Sequence, residues 1–248
     1  NLVLTRLLWP EAFGLMSLVN ALMQGMAMFS DLGIGPSIIQ HRRGEEREFL
    51  ETAWTLQAIR GAGIWLCACV LAWPVAAIYG QPLLRWMLPV AALGSLISGF
   101  GSTALHTLNR RLALGRLTRI ELCSQACGLA AMVGVAWLTR SVWALPLSGV
   151  VSSSVKTLLS HVSLGGPRCR FRWERHAARE LVRFGRWIFL ATALTFVAYQ
   201  GDRLVLGGFL TMGQLGIYTT ALFISQAGLE LVQQLTSRVL FPLYARAA

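Results

Sequence analysis

Seven long apolar runs, separated by short basic connections, constrain this chain more than any other feature. They extend from Phe13 to Ile39, Ile59 to Tyr79, Leu83 to Leu105, Leu117 to Leu138, Val142 to Leu164, Trp187 to Leu210 and Leu215 to Leu240. A helix needs about 20 mostly apolar residues to cross a hydrocarbon layer of roughly 30 Å, so each run has the length of a span. The expected fold is all-α and polytopic, with seven transmembrane helices visible. Glycine, proline and polar residues interrupt several runs, which membrane helices tolerate when neighbouring helices satisfy the freed backbone. Only 13% of the 248 residues are charged, against about 25% in an average soluble domain.

The distribution of charge predicts sidedness. Fourteen of the 22 cations fall in three connections: Arg42, Arg43 and Arg47, then Arg110, Arg111, Arg116 and Arg119, then seven arginines between Arg168 and Arg186. Cytoplasmic loops collect cations, so these connections are expected on the cytoplasmic side. A net charge of +11 can also mark a nucleic-acid partner, but that needs a solvated basic face with stacking aromatics. None is visible, and no nucleic-acid partner is expected. The connection from Gly165 to Arg186 places Ala177, Leu181, Phe184 and Ile188 at helical spacing, with Arg175, Arg179 and Arg183 on another face. Such a segment lies on a membrane surface and is attracted by anionic headgroups.

Five cysteines show no metal-ligand spacing, and the four histidines lie outside any HExxH pattern. No metal, cofactor or catalytic group is expected. Trp9, Trp86, Trp143 and Trp187 fall near span ends, where indole rings favour the membrane–water boundary. The first residue is Asn and no leader pattern follows it, so the chain reads as an internal stretch of a longer protein. A shift of 202 residues lays Leu8, Phe13, Gly14, Leu15, Leu22 and Gln24 over Leu210, Leu215, Gly216, Ile217, Ile224 and Gln226, a weak internal repeat of parallel orientation.

The stretches LTRLLWPEAFGLMSLVNAL, MFSDLGIGPSIIQH and FGRWIFLATALTFVAYQGDRLVLGGFLTMGQLGIYTTA resemble the polysaccharide biosynthesis transporters. These are the lipid-linked oligosaccharide flippases of the multidrug/oligosaccharidyl-lipid/polysaccharide exporter superfamily, and the resemblance runs through essentially the whole chain. It implies a transporter of twelve or more helices in two lobes around a cavity open to one side at a time. On that basis residues 1–164 form most of one lobe, 165–186 a cytoplasmic linker, and 187–248 the start of a second. The implied activity is transfer of polyprenyl-pyrophosphate-linked oligosaccharide across a bacterial inner membrane for exopolysaccharide or lipopolysaccharide synthesis. Membrane lipids, a polysaccharide polymerase and glycosyltransferases are the implied partners. A drug or cation antiporter of the same superfamily is the first alternative. A membrane polymerase or ligase is the second, disfavoured by the very short connections at Gly80 to Pro82, Thr139 to Ser141 and near Thr211.

Ionisable groups inside spans cost roughly 2.5 to 3.5 kcal/mol each on insertion scales and are functional candidates by default. Lys156, the sole lysine, follows Ser152, Ser153 and Ser154, about 21 Å into its span at 1.5 Å per residue. It either lines a hydrated cavity or snorkels to the interface. Arg60, in QAIRGAG, lines the cavity or marks the mouth of its helix. Together they are candidates to hold a pyrophosphate, with Gln226 and Glu230 adding a polar helix face to the substrate site. Asp202 and Arg203 project about 100° apart on a helix, so a partner on another helix is expected for each, in a structural or gating role. The resemblance places Asp202 in a recurrent pattern of the seventh helix. Asp31 precedes LGIGP and is either a cap at a helix break or a coupling-ion site.

The sidedness is testable by single-cysteine labelling in a cysteine-free background. Arg42→Cys, Arg110→Cys and Arg172→Cys are expected to resist an impermeant maleimide in intact cells. Ready modification of all three from outside would reverse the orientation.

Overall fold

The computed structural model describes residues 9–30, 34–35, 38, 46–110, 113–163, 171, 173–174 and 194–235, without the side chains of 109, 110, 114 and 227–235. Eight helices can be followed there: α1 (Pro10–Phe29), α2 (Arg47–Ile78), α3 (Leu84–Gly99), α4 (Ala104–Arg110), α5 (Leu114–Thr139), α6 (Ala144–Val162), α7 (194–209) and α8 (Met212–Leu235). The all-α expectation stands; the seven-span expectation does not. Among the described residues three helices are long and apolar enough to cross a membrane: Pro10–Phe29, Arg47–Ile78 and Gly115–Thr139.

The physical reasons differ from run to run. The expected span from Leu83 to Leu105 stops at Gly99, turns through Phe100–Thr103 and resumes as the short α4, leaving a 16-residue helix. The run from Val142 to Leu164 becomes the 19-residue α6, whose serines and Lys156 dilute its apolar character. The run from Trp187 to Leu210 is described as helix only over 194–209, with Asp202 and Arg203 in it. The expected two-lobe arrangement of twelve or more helices is overturned as well. Helix α8 packs along α1, and its Met212 and Leu215 enter a core with Leu15, Leu18 and Val19 of α1, Ala68 and Ala72 of α2, and Leu84, Met87 and Leu88 of α3. Of the surface segment expected at 165–186, only Phe171, Trp173 and Glu174 are among the described residues.

The apolar surface left outside this core is ordered by the helical period. On α2, Ile59, Leu66, Val70 and Trp73 are exposed, and on α5 so are Leu122, Leu129, Val133 and Trp137. Those spacings fall on one side of each helix. In water a contiguous apolar stripe would seek a partner; on a spanning helix it faces lipid.

Helix contacts inside the bundle use small residues, because in lipid close van der Waals packing replaces the hydrophobic drive. At the α1–α8 crossing, a Cβ added to Gly14 would collide with the Met212 carbonyl, and one added to Gly216 with the Pro10 carbonyl. The contact is reciprocal and keeps the 202-residue offset of the repeat. At the α2–α3 crossing, a Cβ on Gly61 would lie 2.7 Å from the Ser95 carbonyl oxygen and 3.0 Å from the Gly99 Cα.

The break after α3 frees carbonyls that neighbours satisfy. Gln57 Nε2 donates to the carbonyls of Ser98 (3.1 Å), Gly99 (3.3 Å) and Gly101 (3.2 Å). Thr157 Oγ1 donates to Ile97 (3.2 Å), and Trp54 Nε1 (3.4 Å) and His161 Nε2 (2.8 Å) meet the Phe100 carbonyl. The Ser102 N–H donates to Ser160 Oγ at 3.1 Å. Together, α2 and α6 cap the end of α3.

Gly14→Ala and Gly216→Ala should therefore each force a backbone shift costing about 1–3 kcal/mol. Gly63→Ala in α2, where a Cβ would meet nothing within 4 Å, should be neutral or stabilising. Thermal unfolding of the detergent-solubilised protein checks this, and equal midpoints for Gly14→Ala and Gly63→Ala would remove the α1–α8 crossing as a packing constraint.

Candidate functional site

Helices α1, α2, α3 and α6 and the turn after α3 enclose a cleft of about 680 Å³. Its wall on α1 is the stripe Met16, Asn20, Met23 and Ala27, next to the stripe of Leu15, Leu18 and Val19 that faces the core. From α3 come Gly94, Ser95, Ser98 and Gly99, and from α6 Gly149, Ser153, Lys156 and Thr157. Small residues keep the helices close while their backbone and hydroxyl groups add polar atoms to a largely apolar wall.

Arg60 and Lys156 both line this cleft. Arg60 leaves the middle of α2 and donates from Nη2 to the Ala27 carbonyl at 2.7 Å and from Nε to Ser30 Oγ at 3.1 Å. It therefore satisfies a carbonyl in the last turn of α1, where the helix dipole favours a cation. Lys156 Nζ lies 2.9 Å from Glu121 Oε1 on α5, with the two side chains 39% and 43% exposed. The snorkelling alternative assigns no such partner. His106 of α4 is a third titratable group on the wall. Burial, and then the charge of Lys156, pulls its imidazole below the ordinary value of 6.5, which favours the neutral ring.

The other sequence candidates lie elsewhere. Asp202 accepts from the Tyr218 hydroxyl of α8 at 2.6 Å and from the Arg203 N–H at 2.8 Å. Arg203 donates to Gln200 Oε1 on its own helix at 2.9 Å, and its Nε is buried without a hydrogen-bond partner. Thus Asp202 has a partner on another helix, as expected, whereas the partner found for Arg203 is on its own. Gln200 in turn donates to Gln24 of α1. Gln226 is half-buried on α8 and does not line the cleft. Asp31 and the side chain of Glu230 lie outside the described residues.

Sequence reasoning passed over Glu121, although it is an acid within the expected span from Leu117 to Leu138 and the rule that selected Lys156 would have selected it. His106 was missed for a different reason. It falls just past a span end, and only the turn after α3 brings it back against the cleft. Among the described residues no group of His, Cys, Asp and Glu could hold a metal ion.

Residues 3–248 match the family described as polysaccharide biosynthesis protein. Curated relatives include a succinoglycan biosynthesis transport protein of Rhizobium meliloti, 25% identical over 98% of this chain and 49% of its own length. A teichuronic acid biosynthesis protein of Bacillus subtilis is 22% identical over 87% of the chain and 45% of its length. A lipopolysaccharide biosynthesis protein of Escherichia coli is 24% identical over 98% and 50%. The chain thus spans about half the length of these relatives, none of which bears an enzyme's name. No solved structure matches it. The apolar spans are those of a membrane protein, and the match over nearly every residue is decisive: the chain belongs to the polysaccharide biosynthesis protein family.

Proposed function

We propose that this chain serves the transfer of a polyprenyl-pyrophosphate-linked oligosaccharide from the cytoplasmic to the outer leaflet of a bacterial cytoplasmic membrane, by alternating access. The observation that carries the reading is the convergence of Arg60 and Lys156 on one cleft whose remaining polar side chains are amides, hydroxyls and the imidazole of His106. A headgroup of this kind presents phosphate oxygens and sugar hydroxyls. Guanidinium and ammonium groups bind the former through charge-assisted hydrogen bonds, and Asn20, Ser95, Ser98 and Ser153 offer donors and acceptors for the latter. A cleft spares the headgroup a passage through hydrocarbon while its tail remains in lipid. Glycosyltransferases that build the oligosaccharide and a polymerase that consumes it are the partners this reading requires.

A drug or cation antiporter of the same superfamily would favour an acidic cleft. The described lining includes two cations and a histidine but neither Asp nor Glu, which favours an anionic substrate.

Removing a charge-assisted contact should cost about 1.5–3 kcal/mol, roughly a tenfold or greater loss at 1.4 kcal/mol per decade. In cells whose polysaccharide export depends on this protein, Lys156→Ala and Arg60→Ala are expected to reach normal abundance yet lose export, with lipid-linked repeat units accumulating on the cytoplasmic leaflet. Lys156→Arg should retain more export than Lys156→Ala. Wild-type export by both alanine variants at wild-type abundance would end the cationic-site reading.

A further inference from the structure

We propose that Glu121 is the internal counter-anion of the cleft: it holds Lys156 while the cleft is empty and yields it to an entering diphosphate, and so sets the affinity of the site. The proposal rests on the reading of the cleft as an anion site and adds to it the group that the anion must displace.

The placement of the two side chains carries it. Lys156 lines the cleft and Glu121 does not, yet Oε1 is only 2.9 Å from Nζ. The same side chain therefore borders the cleft and reaches a carboxylate on α5. An ammonium has three rotatable donors on a flexible stem, so it can exchange one acceptor for another without moving its helix. Both side chains are about two-fifths exposed, and an ion pair at such exposure is weakly held. A diphosphate carries more charge than a carboxylate and offers more acceptor oxygens, so it competes well for the same donors.

The exchange also bears on the helices. Lys156 and Glu121 tie α6 to α5 across the pair. Those helices meet again at Gly128, where a Cβ would lie 2.9 Å from Ser152 Cβ and 3.0 Å from the Ser148 carbonyl oxygen. Loss of the ion pair would leave the α5–α6 contact to that close packing and to the apolar cluster of Met132, Val135 and Ala136 with Ala144 and Leu145. Glu121 is thus a positioning residue that competes with the ligand, and its removal should strengthen binding rather than weaken it. A residue with a merely structural role would have the opposite effect.

Calorimetric titration of the detergent-solubilised protein with inorganic pyrophosphate tests this at low salt. Glu121→Gln should tighten binding about twofold to fivefold, as expected when a half-exposed ion pair no longer competes. Glu121→Asp, which keeps the charge but shortens the reach, should tighten it in part and serves if the Gln variant does not fold. Lys156→Ala should weaken binding, and Glu121→Gln in that background should bring no gain. Unchanged or weaker binding by both Glu121 variants, with Lys156→Ala still impaired, would overturn the exchange and leave the cleft reading intact. A gain from Glu121→Gln that persists without Lys156 would overturn it too, since the effect would then be one of distant charge. Wild-type binding by Lys156→Ala would instead sink the underlying anion site. Phosphatidylglycerol added to the micelles should leave all these constants unchanged, and displacement of pyrophosphate by it would overturn the assignment to a diphosphate.

Discussion

The backbone contact between α1 and α8 governs the arrangement of the remaining helices. With no side chain between Gly14 and the Met212 carbonyl, or between Gly216 and the Pro10 carbonyl, the two helices approach as closely as their backbones allow. That approach seats Met212 and Leu215 among Leu15, Leu18 and Val19 and fixes the rotation of α1 about its axis. With that face committed, the neighbouring stripe of Met16, Asn20, Met23 and Ala27 has no choice but to line the cleft. A methyl group at either glycine would therefore disturb a wall several turns away, because a helix transmits rotation along its length.

The polar cleft and the repaired end of α3 are one arrangement. A helix that stops within a bundle leaves carbonyls without an intrahelical partner, each costly if it finds none. Gln57 and Thr157, which satisfy them, are also part of the cleft lining. The groups that satisfy the break thus also bring polar atoms to the cavity wall, and the turn they stabilise leads into α4 and delivers His106 to the same wall.

Some of this was legible in the sequence and some was not, for reasons that lie in particular residues. Arg60 and Lys156 could be picked out because cations are rare in apolar runs, and their shared cleft depends on a packing that no run of hydropathy encodes. The repeat aligned Gly14 with Gly216, but a one-dimensional offset does not say that the aligned residues touch. Hydropathy carried the run from Leu83 straight through Gly99, Phe100 and Gly101, since two glycines and a phenylalanine cost an apolar average almost nothing while ending a helix. For Asp202, a search for opposite charge could not find the Tyr218 hydroxyl, a neutral donor sixteen residues on. The span expected from Leu83 failed for that reason, since a span also needs an unbroken backbone, whereas the one from Val142 kept its backbone as α6 and lost apolarity to its serines and Lys156.

Helix α2 relates the cleft to the membrane boundary. Its 32 residues extend about 48 Å at 1.5 Å per residue, well beyond a hydrocarbon layer of about 30 Å. The first three turns hold the Arg47–Glu51 ion pair and the buried residues from Phe49 to Leu56, a mixture suited to the protein–water side. The exposed apolar stripe begins only at Ile59 and runs through Leu66, Val70 and Trp73 to Ile78, and those twenty positions cover about 30 Å. At the far end Arg85 lies 3.9 Å from the Trp73 ring centroid and 5.4 Å from that of Trp86, a cation–π cluster of the kind that settles at an interface. Arg60 consequently sits at the opposite edge of the apolar zone, one residue past the start of the stripe. A cation costs least to insert near that edge, so the place of Arg60 along α2 keeps the insertion cost of the cleft wall low.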